Sequence, residues 1–313
     1  MPTMKDSGPR TLFLGMQNEM SFRAFIGLLK HDINICGVAL AIAENQVCGF
    51  SNARTGFVAP ASPSELPIVN RFVGDSILQT ASALEIPLIP IIGNEMAGLR
   101  NAISTFQPDI ACVACFPLRL PANILDSVEH GFINFHPSML PFHRGPAPLF
   151  WIFRSANQEA SGVTVHLVDE GLDTGDIVLQ QEVEFATGIS GFTADRMTGE
   201  IGGALLAKAA IGLWTGTNEP NPQPPGGNYD PWPVDSDFRI AISWNPRRAY
   251  NFMRGTAHWQ RSYPIDVGEE TIELTEAIAY RPENWTAKHV VGSNDIDIVF
   301  VRFDRGILEA RRI

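Results

Sequence analysis

From residue 10 to about 185 the chain alternates short apolar runs with amphipathic segments. TLFLG (11–15) predicts a strand ending at Gly15, and Phe22, Phe25, Ile26 and Leu29 then recur at helical spacing. INICGVALAIA (33–43) is continuously apolar, as in a strand buried on both faces. A Ser-, Asn- and Pro-rich loop runs to about residue 70. A helix is predicted over 71–85, with Phe72, Ile77, Leu78 and Leu84 inward. Strand IPLIPII (86–92), helix 95–106, strand DIACVAC (109–115), a short helix 121–128 and strand GFINFH (131–136) continue the series. Repeated βαβ units predict an α/β, Rossmann-like, mostly parallel sheet with helices on both faces.

Further along, 147–156 reads as helix, GVTVHLV (162–168) and DIVLQQEVEF (176–185) as strands, and 192–214 as a long helix with Ile201, Leu205, Ala209 and Leu213 in line. NEPNPQPPGGNYDPWP (218–233) holds six prolines and two adjacent glycines and reads as an extended linker. Beyond it DFRIAIS, TIELTEAIAY, DIDIVFVRF and GILEARRI read as strands, with one helix at 246–254. The expected organisation is a catalytic domain over 1–217, a linker over 218–233 and a small, mainly β, OB-like or barrel-like domain over 234–313.

Composition narrows the class. The 313 residues are 45% hydrophobic and 18% charged, enough for a full core. Residues 1–9 are polar and no run approaches the ~20 apolar residues of a membrane span, so neither a secretory signal nor a membrane partner is expected. Cys36, Cys48, Cys112 and Cys115 are too few for a disulfide framework, which favours a reducing, cytoplasmic setting. Net charge is −11, and residues 217–313 carry 11 basic against 14 acidic side chains. Neither half is a basic body that would attract a phosphate backbone.

Candidate chemistry concentrates in two stretches. In GFINFHPSMLPFHRGPAP (131–148), Asn134 and His136 project from one strand face, with Phe135 opposite. Pro137 ends the ladder, leaving His136 at the strand's carboxyl end, where ligands of open α/β sheets collect. A capping Asn and a satisfied surface His fit the same positions. In VHLVDEGLDTGD (165–176), Asp169, Glu170, Asp173 and Asp176 crowd a Gly-punctuated loop. The loop reads as a solvated turn or a metal loop, although the spacing of a calcium loop is absent. A carboxylate from it meeting His136 would make a general acid/base pair. Cys112 and Cys115, at i and i+3 of a strand, face opposite ways and read as core. His143 and Arg144 read equally as surface charge or as acceptor contacts. GMQN (15–18) has the place of a ligand loop but is no G-x-G-x-x-G, so a dinucleotide site is not expected. Arg247, Arg248 and Arg254 share one predicted helix, and a solvated face suits them better than phosphate contact.

The runs N-F-H-P-S-M-L-P, R-G-P-A-P and S-G-V-T-V-H-L-V-D-E-G-L-D-T-G-D-I resemble the signature of the folate-dependent formyltransferases, and element order follows that family over roughly 10–215. The linker and C-terminal segment resemble the tails of its methionyl-tRNA and amino-sugar branches. The resemblance implies a metal-free site that takes 10-formyltetrahydrofolate as formyl donor, with Asn134, His136 and Asp173 catalytic. It implies that Phe116, Leu118 and Leu120 line the pterin site together with Asp169, Glu170 and Gly171. It puts Gly15, Gln17, Ser138 and Arg144 on the substrate side. An amine attacking the formyl carbon creates an oxyanion that needs the Asn134 N–H and protonated His136 as donors. Asp173 would keep His136 cationic and relay a proton through water.

The resemblance also bears on the acceptor. The tRNA branch usually carries a Lys/Arg-rich insertion after the second strand, whereas 44–70 holds only Arg54 against Glu44 and Glu65. His166 stands where small-molecule branches often have His and the tRNA branch tends to have other residues. Both favour a small amine, such as a nucleotide-linked amino sugar, over tRNA. A methionyl-tRNA formyltransferase is the alternative, and a 10-formyltetrahydrofolate hydrolase or a silent folate-binding protein fits less well. A homodimer is compatible with the sequence.

Overall fold

The computed structural model describes residues 8–31, 33–42, 76–93, 96–281, 291–292 and 297–313. The 44–70 loop, Phe72 and Cys48 lie outside the described residues. The chain divides into two compact units, the first holding Met1–Pro141, Val163–Gln181 and Arg196–Gly226 and the second Phe142–Gly162, Glu182–Asp195 and Gly227–Ile313.

The first unit is built on a seven-stranded sheet: β1 (Arg10–Met16), β2 (Asn34–Ile42), β3 (Leu88–Ile92), β4 (Ile110–Ala114), β5 (Phe132–His136), β6 (Gly162–Leu167) and β7 (Ile177–Glu182), in the order β3-β2-β1-β4-β5-β6-β7. Strands β1 to β5 pair in parallel and β6 turns antiparallel to β5. The order reverses between β1 and β4, the switch point at which such sheets open a crevice beyond their carboxyl ends. Helices α1 (Glu19–Lys30), α2 (Ile77–Ala83), α3 (Ala97–Phe106), α4 (Ala122–Leu125) and α6 (Gly191–Trp214, in this unit from Arg196) accompany the sheet.

Period-two burial sorts the strand residues between two cores. Leu12, Leu14, Val113 and Phe132 join Leu99, Ile103 and Ile124 in one cluster. Phe13 packs on Phe25 of α1, ring centroids 5.3 Å apart. Phe135 faces α6, where a Cβ at Gly202 would come within 2.5 Å of its ring. Helices α1 and α6 meet through bare backbone. A Cβ at Gly203 would lie 2.6 Å from the Ala24 carbonyl oxygen, and one at Gly27 the same distance from Gly203 Cα. The glycines of α6 are therefore a packing device despite their cost in helix propensity. Leu84, expected inward, is exposed just past the end of α2. The buried residues of α2 are Ile77 and Ala81.

In the second unit a five-stranded sheet has the order β10-β11-β12-β9-β8, from β8 (Tyr263–Val267), β9 (Glu270–Arg281), β10 (Val291–Gly292), β11 (Ile298–Phe303) and β12 (Gly306–Arg312). All four of its pairings are antiparallel. It is joined by α5 (Pro148–Ser155) and α7 (Pro246–Thr256). DFRIAIS is not a strand. Residues Asp235–Phe238 form a 3-10 turn and Ile240 makes a single bridge to Ile265, because Phe238 is drawn into an aromatic cluster with Phe150, Phe252, Trp259 and Tyr263. Strand β8 escapes the pattern because Pro264 and Asp266 interrupt its apolar run. The three arginines of α7 do not act alike. Arg248 stacks 3.8 Å from the Trp244 ring centroid and donates to the Arg154 carbonyl, while Arg247 is exposed.

Gly203→Val is expected to force α1 from α6 and lower stability by about 1–3 kcal/mol. Urea unfolding checks this as a lower midpoint at unchanged slope.

Candidate active site

Strand β5 begins in the core and ends in polar side chains on the same face. Phe132, Asn134 and His136 alternate with buried Ile133 and Phe135. Parallel pairing sets Asn134 beside Val113, and the antiparallel register sets it opposite His166 and sets His136 opposite Thr164. The change of direction at β6 thus brings a second imidazole to the face that carries the first. His136 and His166 are 4% and 2% exposed, with rings edge-on and centroids 6.3 Å apart.

The turn after His136 is held by one hydroxyl. Thr164 Oγ1 donates to the Ser138 carbonyl (2.7 Å) and accepts from the Leu140 amide (3.0 Å) and Gln180 Nε2 (2.8 Å). Gln180 also donates to the Leu140 carbonyl, and the Ser138 amide to the His136 carbonyl. This fixes where β5 stops, and with it the position of His136.

The loop between β6 and β7 delivers the carboxylate. Asp169 accepts from the Gly171 amide and the Thr174 hydroxyl, closing a tight turn. A Cβ at Gly175 would collide with the Leu167 carbonyl, so the chain returns to the sheet there only as glycine. Asp173 then takes the left-handed conformation, φ 54°, which Asp tolerates better than most residues. Gln223, from the Pro-rich stretch, donates to the carbonyls of Asp173 (2.8 Å) and Gly175 (2.9 Å) and holds this turn. Asp173 Oδ1 lies 3.7 Å from His136 Nδ1 and 3.5 Å from His166 Nε2. Asn134 Nδ2 is 3.2 Å from His166 Nε2.

Asn134 and His136, two residues apart on β5, therefore meet Asp173 of the β6–β7 loop in one cluster. Thr164, Gln180 and Gln223 support it and carry no sequence signature; only their buried hydrogen bonds identify them. The stretches 116–120 and 169–171 are joined by a hydrogen bond from Arg119 to the Glu170 carbonyl. Phe116 and Leu118 are partly buried against the core, whereas Leu120 is a core residue. Gly15, paired with Ala114, is buried at the carboxyl end of β1 beside Ser21, and Gln17 is exposed. Ser138 is fully buried. Arg144 belongs to the second unit, where its backbone pairs with Asn228 and Asp230 and neighbouring His143 bonds the Asp230 carboxylate at 2.6 Å. Cys112 is core, its thiol pushed up by burial, while Cys115 lies just past β4. Among the described residues no group of three or more His, Cys, Asp or Glu is arranged to hold a metal, and no helix is long and apolar enough to cross a membrane.

Thr164→Val keeps the shape and removes the hydroxyl, stranding the Leu140 amide and the Ser138 carbonyl. A loss of about 1–3 kcal/mol is expected in urea unfolding.

Part of the chain is similar in sequence to known formyltransferases, and the fold is shared more widely. The formyl transferase family model matches residues 94–204. The chain is 32% identical over 161 residues to a methionyl-tRNA formyltransferase of Thermodesulfovibrio yellowstonii, covering 51% of this chain and 52% of that one. It is 34% identical over 203 residues to the enzyme of that name from Clostridium beijerinckii, covering 61% and 62%. The matched regions thus span between half and two thirds of these relatives' length. The crystal structure of an N-formyltransferase from Helicobacter canadensis, solved with folinic acid and dTDP-3-aminofucose, superposes with a TM-score of 0.65 at 16% identity, over 97% of this chain and 100% of that one. This chain shares that fold, and residues 94–204, which carry Asn134, His136 and Asp173, match the formyl transferase family model.

Proposed function

We propose that this protein transfers a formyl group from 10-formyltetrahydrofolate to a primary amine, with Asn134, His136 and Asp173 as the catalytic set. The observation that carries the proposal is the convergence of those three side chains at the carboxyl end of β5, with Asp173 Oδ1 3.7 Å from His136 Nδ1. The donor supplies an activated formyl carbon. Asn134 and protonated His136 offer N–H donors to the oxygen on which negative charge develops, in a buried setting where such donors act strongly. Asp173 stabilises the imidazolium and takes part in moving the amine's proton. The donor's flat ring fits between 116–120 and the 169–171 turn, which Arg119 joins and where Phe116 and Leu118 keep partly uncovered faces.

The acceptor reading favours a small amine, such as a nucleotide-linked amino sugar. It rests on the net charge of −11 and on the poverty of 44–70 in Lys and Arg, since phosphate neutralisation dominates nucleic-acid affinity. The names of the sequence relatives support the second reading, charged initiator tRNA as acceptor.

One assay separates these readings. Purified protein is supplied with 10-formyltetrahydrofolate, and tetrahydrofolate release is followed with no acceptor, with methionyl initiator tRNA, and with a panel of nucleotide-linked amino sugars. Turnover on an amino sugar is expected. Turnover on tRNA alone sinks the small-amine reading, and rapid release without acceptor sinks the transferase reading. Asn134→Ala, His136→Ala and Asp173→Ala are each expected to lower kcat by at least about 10²-fold with the fold intact. Wild-type turnover in any of them refutes its role.

A further inference from the structure

His166 holds a position in the cluster that the three-residue set leaves without a role. Its Nδ1 lies 2.7 Å from the Leu167 carbonyl oxygen. A carbonyl oxygen only accepts, so Nδ1 carries a proton and Nε2 of the neutral ring is a lone pair. That lone pair faces Asn134 Nδ2 at 3.2 Å, the geometry of an accepted hydrogen bond. Among the described residues, two titratable groups face the His166 ring: Asp173 from the β6–β7 loop, at 3.5 Å, and His136 from β5, edge-on at 6.3 Å between ring centroids. One carboxylate oxygen thus faces two buried imidazoles. Two imidazolium rings this close would repel each other in low-dielectric surroundings.

We propose that His166 is a positioning residue that works in its neutral form. It accepts one N–H of Asn134 and so fixes the amide with its second N–H available to the developing oxyanion. Asp173 meanwhile stabilises the imidazolium of His136. This rests on the catalytic reading of Asn134 and His136 given above.

Two measurements test it, the first needing neither formyl donor nor acceptor. In 15N-histidine-labelled protein, imidazole NMR correlations at about pH 7 report the tautomer of His166. His166→Gln identifies its signals. The neutral Nδ1–H tautomer is expected. An Nε2–H tautomer, or a ring protonated on both nitrogens, overturns the proposal. The second measurement uses whichever amine the panel shows to be formylated. His166→Gln, which can offer an amide oxygen near the place of Nε2, is expected to keep most of the wild-type kcat. His166→Phe is expected to lower kcat by about 10²-fold with KM little changed. A Phe variant with wild-type kcat, or a Gln variant as impaired as the Phe variant, overturns it. If wild-type protein formylates nothing in the panel, the transferase reading falls, and the NMR result still decides the arrangement of charge.

Discussion

Asp173 Oδ1 faces two buried imidazoles, and much of the first unit's local architecture serves to keep it there. An uncompensated buried charge costs several kcal/mol, so the cluster persists only if its geometry is enforced from outside. The enforcement comes from backbone. Gln223 bonds the carbonyls on either side of Thr174, Asp169 closes the turn before Asp173, and Gly175 lets the chain pass the Leu167 carbonyl. The left-handed conformation at Asp173 is one consequence of these constraints.

The same logic applies to His136. Its strand ends because Pro137 cannot donate to the ladder, but where the chain goes next depends on Thr164 and Gln180, which satisfy the carbonyls and amide of the following turn. On the opposite face, Phe135 is pressed onto α6 at Gly202, so β5 cannot shift without disturbing the helix. A packed core on one side and a hydrogen-bonded polar network on the other hold β5 in place, the arrangement that the proposed stabilisation of a developing charge would need.

The parallel sheet was legible in the chain because strands buried on both faces leave continuous apolar runs, and INICGVALAI became β2 and DIACVA became β4. Legibility failed where tertiary contacts overrode the local pattern. DFRIAIS alternates like a strand, yet Phe238 is captured by four aromatic rings and the backbone turns with it. Leu84 matched a helical stripe, but its helix ends at Ala83 and leaves it exposed. Strand β8 has Pro264 and Asp266 in its run and is paired by β9 all the same. In the site, the i, i+2 spacing of Asn134 and His136 was readable because a strand's period is two. Thr164, Gln180 and Gln223 were not, since a polar residue gives no sequence sign of the buried group it will satisfy.

What the sequence by itself determined is local: which runs form strands, that Asn134 and His136 share a face, and that Pro137 stops β5 at its carboxyl end. The motif carried by those residues also resembles that of the formyl transferases, whose family model matches residues 94–204. The resemblance had already named Asp173 among four clustered carboxylates, but only the tertiary structure decided how it reaches the histidines, through a turn closed by Asp169 and held by Gln223 from some fifty residues away. It alone set His166 opposite Asn134, through the antiparallel register of β6. Spacing along a strand is a property of the backbone and can be read in one dimension. Register between strands, and the charge balance it creates, exist only after the chain has folded.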